Sequence, residues 1–279
     1  MLLNIEHQTQ YVYSDVVQYT IQQLRLTPRN GMGQHVKQWE LKVNGQLHAF
    51  EDTFGNTTHT LVIDQPHQEL LISVSGEVET GVSGLEAHQP LPLAIYLRDT
   101  PLTQPDAAIT TFAAQYAKAP VAELMQALRD RMQYIKGATQ VDTTAAEAFR
   151  LGKGVCQDHT HIFIACCRSL GLPARYVSGY LFTPDGSLMQ THAWVDVWQT
   201  DHWLGLDISN GRLVNDMHVR LATGLDYRSA SPVTGSRMGG GTEGMSSMVT
   251  VKQSAGLSYE QRKTNMQALY QQAKTAQQQ

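Results

Sequence analysis

The stretch GVCQDHTH at residues 154–161 places one thiol, one carboxylate and two imidazoles directly before the apolar run IFIACC. The apolar run predicts a helix that enters a core, with Cys156 in its first turn. Because the first N–H groups of a helix have no backbone partner, this position favours a thiolate over a thiol. Cys166 and Cys167 lie inside the apolar run, where a cysteine usually packs as a small hydrophobe. Cys156 is therefore the candidate nucleophile.

A cysteine nucleophile needs a base and a group that orients the base. His192 in THAWVDVW begins an alternating strand, and Asp207 in HWLGLDIS ends a second strand. If these strands are antiparallel neighbours, Asp207 can reach the ring of His192. Taken singly, His192 could be a surface strand residue and Asp207 a turn former. Because both residues occur in this order after a cysteine at a helix start, we predict a catalytic triad of Cys156, His192 and Asp207.

A metal site is the second interpretation of the opening stretch. His159 and His161 are two positions apart, so on a helix they point roughly 200° apart and cannot both face one ion. Asp158 and His161 could share a face, but the chain has no C-x-x-C or H-E-x-x-H pattern. We therefore expect no metal and no other cofactor, with His159 and His161 packing on the solvent side.

Contacts with a substrate are expected around the thiol. Gly154 removes side-chain bulk from the approach to Cys156, and the N–H of Cys156 can donate to a developing oxyanion. The expected substrate-binding residues are Gly154, Gln157, Asp158 and Trp194. Asp158 also suits the charge of a helix N-terminus, and core packing is the alternative for Trp194.

Composition narrows the class of protein. The chain has 279 residues, 42% of them hydrophobic, and a formal charge of −4, which argues against a nucleic-acid partner. The N-terminal residues lack the pattern of a signal peptide, and no apolar run approaches the roughly 18 residues that cross a bilayer. Three cysteines, two of them adjacent, are typical of reduced thiols in the cytoplasm. We expect no membrane partner, and the oligomeric state stays open.

The hydrophobic period divides the chain into two domains and a tail. Residues 1–100 alternate with period two between turn signals, as in ELLISVSGEVE, and predict an antiparallel β-sandwich or small barrel. Residues 101–252 mix helices with short strands and predict an α+β core. Its glycine-rich part, GSRMGGGTEGMSSM, predicts a mobile segment or an irregular turn. The Gln-rich tail at 253–279 has only a thin apolar stripe and is at most a surface helix.

Several helix starts are marked within the core. Asp106 can cap one helix, and Pro120 opens another whose apolar positions run from Val121 to Ile135. Thr144 and Glu147 have the spacing of a capping box. In the strand that begins at His192, every second residue from Ala193 to Val197 would face the core.

The three motifs together closely resemble the bacterial transglutaminase-like cysteine peptidases, whose core is similar to that of papain-like thiol enzymes. The segments are GVCQDHTHIFIACCRSLGLPARYVSGYL, THAWVDVW and WLGLDISN. The resemblance implies that Cys156, His192 and Asp207 are the triad. It extends to LRLTPRNGMGQ and DTFGN in the N-terminal β domain, and covers about residues 1–252. The family often has phenylalanine or tyrosine where this chain has His159.

The implied activity is hydrolysis of a peptide or protein amide through a thioester on Cys156. Transfer of the acyl group to an amine, as in a transglutaminase, stays open. So does a binding module that keeps the fold and lacks the chemistry. No D-x-D-x-D-G loop, typical of a calcium site, occurs in the chain.

Overall fold

The computed structural model describes residues 1–83, 90–184 and 191–253. The strands are β1 (Leu2–Leu24), β2 (Gln34–Val43), β3 (Gln46–Glu51), β4 (Thr57–Ile63), β5 (His67–Thr80), β6 (Gln133–Tyr134), β7 (Lys153–Gly154), β8 (Ala174–Leu181), β9 (Thr191–Trp198), β10 (Trp203–Asp207), β11 (Arg212–Leu213), β12 (His218–Gly224), β13 (Val233–Gly239) and β14 (Glu243–Gln253). The helices are α1 (Ala107–Ala114), α2 (Val121–Arg131), α3 (Ala145–Leu151), α4 (Cys156–Ser169) and α5 (Tyr227–Ala230), with a 3-10 helix at Leu93–Leu97. This mixture confirms the predicted α+β class.

The long strand β1 organises the N-terminal β-rich domain. Its first half pairs with β5 and β14 and its second half with β4 and β13, always antiparallel. Leu3 and Ile5 are buried while Asn4 and Glu6 are exposed, the alternation expected of a strand with one core face. The alternation predicted for β5 is confirmed by its buried residues Leu70, Ile72, Val74 and Val78.

The end of the core differs from the predicted domain boundary. The sequence assigned residues 233–252 to the core and the glycine-rich part to a mobile segment or an irregular turn, whereas the structure forms β13 and β14 there and pairs both with β1. Val249 and Val251 are buried in the same cluster as Leu3. The pairing joins the two ends of the chain, and no local pattern reports such a long-range partner. The N-terminal domain therefore contains a C-terminal hairpin.

A second antiparallel sheet carries the core, in the strand order β11-β10-β9-β8-β12. The helix α4 packs against this sheet, with Ile162, Cys166 and Val195 in one buried cluster. The opposite side of the sheet faces the N-terminal domain, whose buried cluster includes Tyr180 and Val219. The sheet is thus covered on both sides, which holds the ends of its strands rigidly beside the start of α4.

Covering on both sides also buries the polar face of β9. The predicted alternation is present, since Val195 and Val197 face the cluster of α4. Asp196 on the other face has no exposed surface and accepts hydrogen bonds from Nε of Arg175 at 2.9 Å and Nη1 of Arg220 at 2.6 Å. A buried carboxylate requires such partners. The two arginines balance the charge of Asp196 and supply its hydrogen bonds where the two domains meet.

The predicted helix starts are present. Oδ1 of Asp106 accepts the N–H of Ile109 at 2.9 Å at the start of α1, and Thr144 and Glu147 form the capping box of α3. The helix after Pro120 ends earlier than predicted, at Arg131, because the next residues leave it for the short strand β6. β6 pairs in parallel with β7, directly before α4.

Within the described ranges, no helix combines the length and apolar character needed to cross a membrane. The predicted Gln-rich tail lies outside the described residues, apart from Gln253 at the end of β14.

Candidate active site

Cys156 is the first residue of α4 and is half-buried. The turn before it is held by Asp158, whose Oδ2 accepts the backbone N–H of Val155 at 2.7 Å and the hydroxyl of Thr139 at 2.7 Å. Gly154 leaves room for this carboxylate, because a Cβ at Gly154 would lie 2.5 Å from Oδ2 of Asp158. The sequence around the cysteine therefore folds back on itself and presents the thiol at the helix N-terminus.

Tyr134 is a neighbour of the thiol that sequence reasoning missed. It lies opposite Gly154 in the β6–β7 pair, and the N–H of Ile135 donates to the carbonyl of Gly154 at 2.9 Å. Its side chain lines one cleft with Cys156, and burial and the charge on Cys156 raise the pKa of Tyr134 to about 12. The phenol consequently stays protonated and can act as a donor beside the thiol. The pairing of two-residue strands leaves no periodic signal in the sequence.

His192 and Asp207 meet across the neighbouring strands β9 and β10, as the sequence predicted for antiparallel neighbours. Nε2 of His192 lies 3.0 Å from Oδ2 of Asp207, with side-chain exposures of 10% and 0%. Cys156 lines one cleft with this ring and helps to raise the pKa of His192. Because Nε2 is directed at the carboxylate, Nδ1 is the ring nitrogen that can exchange a proton with the thiol.

Asp207 is surrounded by further donors. Its Oδ2 accepts Nδ2 of Asn210 at 2.7 Å and Nε2 of His218 at 3.1 Å. Its Oδ1 accepts the hydroxyl of Ser209 at 3.1 Å and the N–H of Asn210 at 3.3 Å. From the sequence, a turn after β10 was expected only under the alternative in which Asp207 is a turn former. The turn in fact supplies three of the donors that orient the carboxylate, whereas His218 comes from β12 and has no local sequence signal.

These contacts favour opposite charges on His192 and Asp207. Burial disfavours the charged ring of His192, but hydrogen bonds to Asp207 and Cys156 and the charges of both outweigh it and raise the pKa of His192 to about 10. Burial also disfavours the charged carboxylate, but the hydrogen bonds from His192 and His218 hold the pKa of Asp207 well below its usual range. The arrangement thus favours an imidazolium beside an ionised carboxylate at neutral pH.

A cleft of about 210 Å³ opens beside Cys156 and His192. Among the residues that the structure describes, its other lining residues are Tyr134, Lys136, Val155, Gln157, Tyr176, Ser178, Thr191, Ala193, Tyr227 and Pro232. Three of these are tyrosines, and the cleft combines apolar ring faces with hydroxyl and amide groups. A ligand in this cleft would lie against these groups and beside the thiol.

Only one of the four residues expected to contact substrate lines this cleft. Gln157 does so, and its side chain also donates to the carbonyl of Val141 at 2.9 Å. Gly154 and Asp158 are buried and shape the start of α4. Trp194 has no exposed surface and packs edge-on against His218, with ring centroids 5.3 Å apart. For Trp194 the core-packing alternative is the one the structure shows, because both faces of its strand are covered.

His159 and His161 are buried rather than packed on the solvent side. Burial lowers the pKa of each to about 4, so both are neutral at pH 7. Nε2 of His161 accepts the backbone N–H of Tyr227 at 3.1 Å and so positions a residue of the cleft wall. The expectation failed because α4 is enclosed on all sides by the sheet, the other helices and the β6–β7 pair.

A metal ion would compete with hydrogen bonds at this site. Ligand atoms of His192, Asp207 and His218 lie within 4.8 Å of one another. Both histidines already contact Oδ2 of Asp207 through Nε2. An ion bound among the three side chains would displace the Nε2 protons of the two histidines. The closeness of these ligand atoms is therefore explained by the hydrogen bonds between the side chains.

Comparison with known proteins places both parts of the chain. Residues 107–208, which contain Cys156, His192 and Asp207, match the transglutaminase-like superfamily, and residues 3–79 match the bacterial transglutaminase-like N-terminal region. An uncharacterized protein of Mycobacterium tuberculosis is 32% identical over 271 residues, covering 83% of this chain and 86% of its own. The chain belongs to the transglutaminase-like superfamily.

Two further proteins are similar to this chain. An uncharacterized protein of Mycobacterium leprae is 28% identical to this transglutaminase-like protein over 274 residues, covering 89% of this chain and 98% of its own. The crystal structure of a candidate cysteine protease from Cytophaga hutchinsonii has a TM-score of 0.74 at 22% identity, with 90% of each chain covered. The solved structure shows that the two proteins share a fold.

Proposed function

We propose that this transglutaminase-like protein is a thiol-dependent amide hydrolase that acts on a peptide or protein substrate. In this proposal Cys156 is the nucleophile, His192 the general acid and base, and Asp207 the residue that orients His192. The observation that carries it is the His192 ring, whose Nε2 lies 3.0 Å from Oδ2 of Asp207 and which lines one cleft with Cys156.

The proposed reaction begins with the Cys156 thiolate and the His192 imidazolium. The sulfur attacks the amide carbonyl carbon, and the carbonyl electron pair moves to the oxygen to form a tetrahedral intermediate. Nδ1 of His192 then donates its proton to the amine nitrogen as the C–N bond breaks, which leaves a thioester on Cys156. Neutral His192 next takes a proton from water, the resulting hydroxide attacks the thioester, and the acid leaves as the thiolate forms again.

Charge on the tetrahedral oxygen needs donors that are already in place. The backbone N–H of Cys156 lies in the first turn of α4, where helix geometry provides no backbone acceptor for it. The phenol of Tyr134 lies beside the same thiol and stays protonated. We assign these two groups to the oxyanion, one from the helix start and one from β6.

The chemistry of the cleft supports a peptide as the acyl donor. The rings of Tyr134, Tyr176 and Tyr227 offer apolar surface, while the side-chain oxygen of Gln157 can accept a hydrogen bond from a peptide backbone. The reaction uses no cofactor, and the proposed thiolate requires a reduced Cys156, as is usual in the cytoplasm. Transfer of the acyl group to an amine uses the same thioester and differs only in the second nucleophile.

The test is turnover of a panel of acyl amides, each with and without a primary amine, followed by identification of the product. We expect the free acid in both conditions, loss of turnover in Cys156→Ala, and retained turnover in the matched control Cys167→Ala. Incorporation of the amine in place of water would replace hydrolysis by acyl transfer. No turnover of any member by the folded protein would favour a binding module.

A further inference from the structure

His218 contacts the proposed catalytic machinery without touching the thiol. It begins β12 and its side chain has no exposed surface, so it is fixed by the sheet. Nε2 of His218 lies 3.1 Å from Oδ2 of Asp207, the same oxygen that His192 contacts at 3.0 Å. Two imidazoles therefore share one carboxylate oxygen, and their ring centroids are 6.2 Å apart.

The hydrogen bonds of His218 determine its tautomer. The backbone N–H of Asn215 lies 3.2 Å from Nδ1, which accepts it and therefore carries the lone pair. Oδ1 of Asn215 lies 3.1 Å from the same nitrogen and would accept a proton from it only in the Nδ1–H tautomer or in the imidazolium. Nε2 must then hold the proton that is donated to Asp207, because an ionised carboxylate can only accept. His218 is consequently a neutral donor.

The charges around His218 favour this neutral form. Burial lowers the pKa of His218, and the positive charges of His192 and Arg212 lower it further, whereas Asp207 alone raises it. Nε of Arg212 lies 3.9 Å from Oδ2 of Asp207. A second imidazolium at position 218 would compete with His192 for one negative charge. A neutral imidazole instead withdraws part of that charge through a hydrogen bond.

When several donors share one carboxylate oxygen, each hydrogen bond to that oxygen becomes weaker. Every hydrogen bond to an ionised carboxylate stabilises the anion and lowers its affinity for a further proton. Oδ2 of Asp207 receives His192, His218 and Nδ2 of Asn210 at 2.7 Å. Loss of His218 would leave more charge for the two remaining donors, and His192 would bind its proton more tightly.

We propose that His218 is a positioning residue that acts through Asp207, sharing the charge of Oδ2 so that His192 stays acidic enough to protonate a leaving amine. This role rests on the proposed amide hydrolysis, where proton donation to the amine accompanies cleavage of the C–N bond. Formation of the first thioester from an activated aryl ester needs no such proton, because the phenolate leaves as an anion. The two substrate classes therefore separate the acid role of His192 from the rest of the site.

Three substitutions at position 218 isolate the donor. His218→Leu removes it, and His218→Gln keeps an N–H at the same number of bonds from Cβ as Nε2. His218→Asn is a polar control whose amide is one bond too short. We expect His218→Leu to lower kcat on an amide on the order of tenfold with KM little changed, and to change acylation by an aryl ester less. His218→Gln should restore the amide rate, and His218→Asn should not.

The deciding measurement is an NMR titration of the His192 ring in a Cys156→Ala background, with the resonance assigned by its loss in His192→Gln. This titration needs no turnover, so it remains valid even if the proposed hydrolysis fails. We expect the His192 midpoint to rise by about half a pH unit or more in His218→Leu and His218→Asn, and to return in His218→Gln. An unchanged or lowered midpoint in the folded variants, or a glutamine that behaves as asparagine does, would overturn the proposal. If His218→Leu does not fold, the comparison of glutamine with asparagine decides alone.

Discussion

Nε2 of His192 lies 3.0 Å from Oδ2 of Asp207, where β9 and β10 run side by side and the carboxylate is fully buried. The contact directs one nitrogen of the ring at a fixed anion and leaves the other for Cys156. Four further hydrogen bonds, from Ser209, His218, the backbone of Asn210 and its side chain, hold the carboxylate in place. The orientation of His192 is therefore set by a network around Asp207.

The first prediction concerns the carboxylate itself. Asp207→Asn should lower kcat/KM on the order of tenfold to a thousandfold, or roughly 1.4 to 4 kcal/mol, because an amide can accept the ring N–H but carries no charge for the imidazolium. Asp207→Ala should cost more, since no acceptor remains. The measurement is kcat/KM on any amide that the wild type cleaves, with circular dichroism to confirm folding. A well-folded Asp207→Ala protein with wild-type activity would contradict the assigned role.

Selective alkylation is the second prediction. Limiting iodoacetamide near neutral pH should label Cys156 first, because its side chain is partly exposed and lies at a helix start. Cys166 and Cys167 have no exposed surface, and burial raises the pKa of both thiols, that of Cys166 to about 12. Peptide mapping by mass spectrometry reads the order, with the unfolded protein as the control in which all three thiols react. Faster labelling of Cys166 or Cys167 in the folded protein would be the opposite result.

The third prediction concerns the phenol beside the thiol. Tyr134→Phe keeps the ring and removes the donor, so kcat should fall on the order of tenfold to a hundredfold with little change in KM. Tyr116→Phe, at a ring that packs against Phe112, is the matched control. Steady-state kinetics on one amide substrate measures both variants. An equal effect of the two substitutions would remove Tyr134 from the oxyanion site.

Buried histidines make the fourth prediction, a loss of stability in mild acid. Burial lowers the pKa of His7, His159 and His161 to about 4 from 6.5. Between these two pH values the unfolded chain binds protons at the three histidines and the folded chain does not. The stabilising effect of the neutral histidines is therefore complete above pH 6.5 and is lost as the pH falls towards 4. Urea unfolding at several pH values should show this slope, with a shallower slope in His161→Gln than in a control, His202→Gln, at an exposed side chain. A slope unaltered in His161→Gln would exclude that residue as a contributor.

Local patterns predicted much of the core. The helix starts at Asp106, Thr144 and Cys156 depend on side chains within three positions, and the structure contains all three. The pairing of His192 with Asp207 followed from two short strands close together in the chain. Such features need only neighbouring residues, which a sequence displays directly.

Long-range partners were the part that the sequence did not display. The hairpin β13–β14 joins β1 from the opposite end of the chain, and the cover it completes helps to explain why both faces of β9 are buried. His218 reaches Asp207 from β12, and Tyr134 reaches Cys156 through a pair of two-residue strands. Each depends on how separate elements pack, so residue type and spacing alone could not identify them.

The most direct test of the central claim is whether Cys156 carries the acyl group during turnover. A slowly hydrolysed acyl substrate, quenched in acid and analysed by intact mass and peptide mapping, should add the mass of the acyl group to the peptide that contains Cys156. The adduct should be absent from Cys156→Ala and present in Cys167→Ala, which keeps the reactive thiol. Turnover at the wild-type rate by folded Cys156→Ala, with no adduct on any cysteine, would contradict the account.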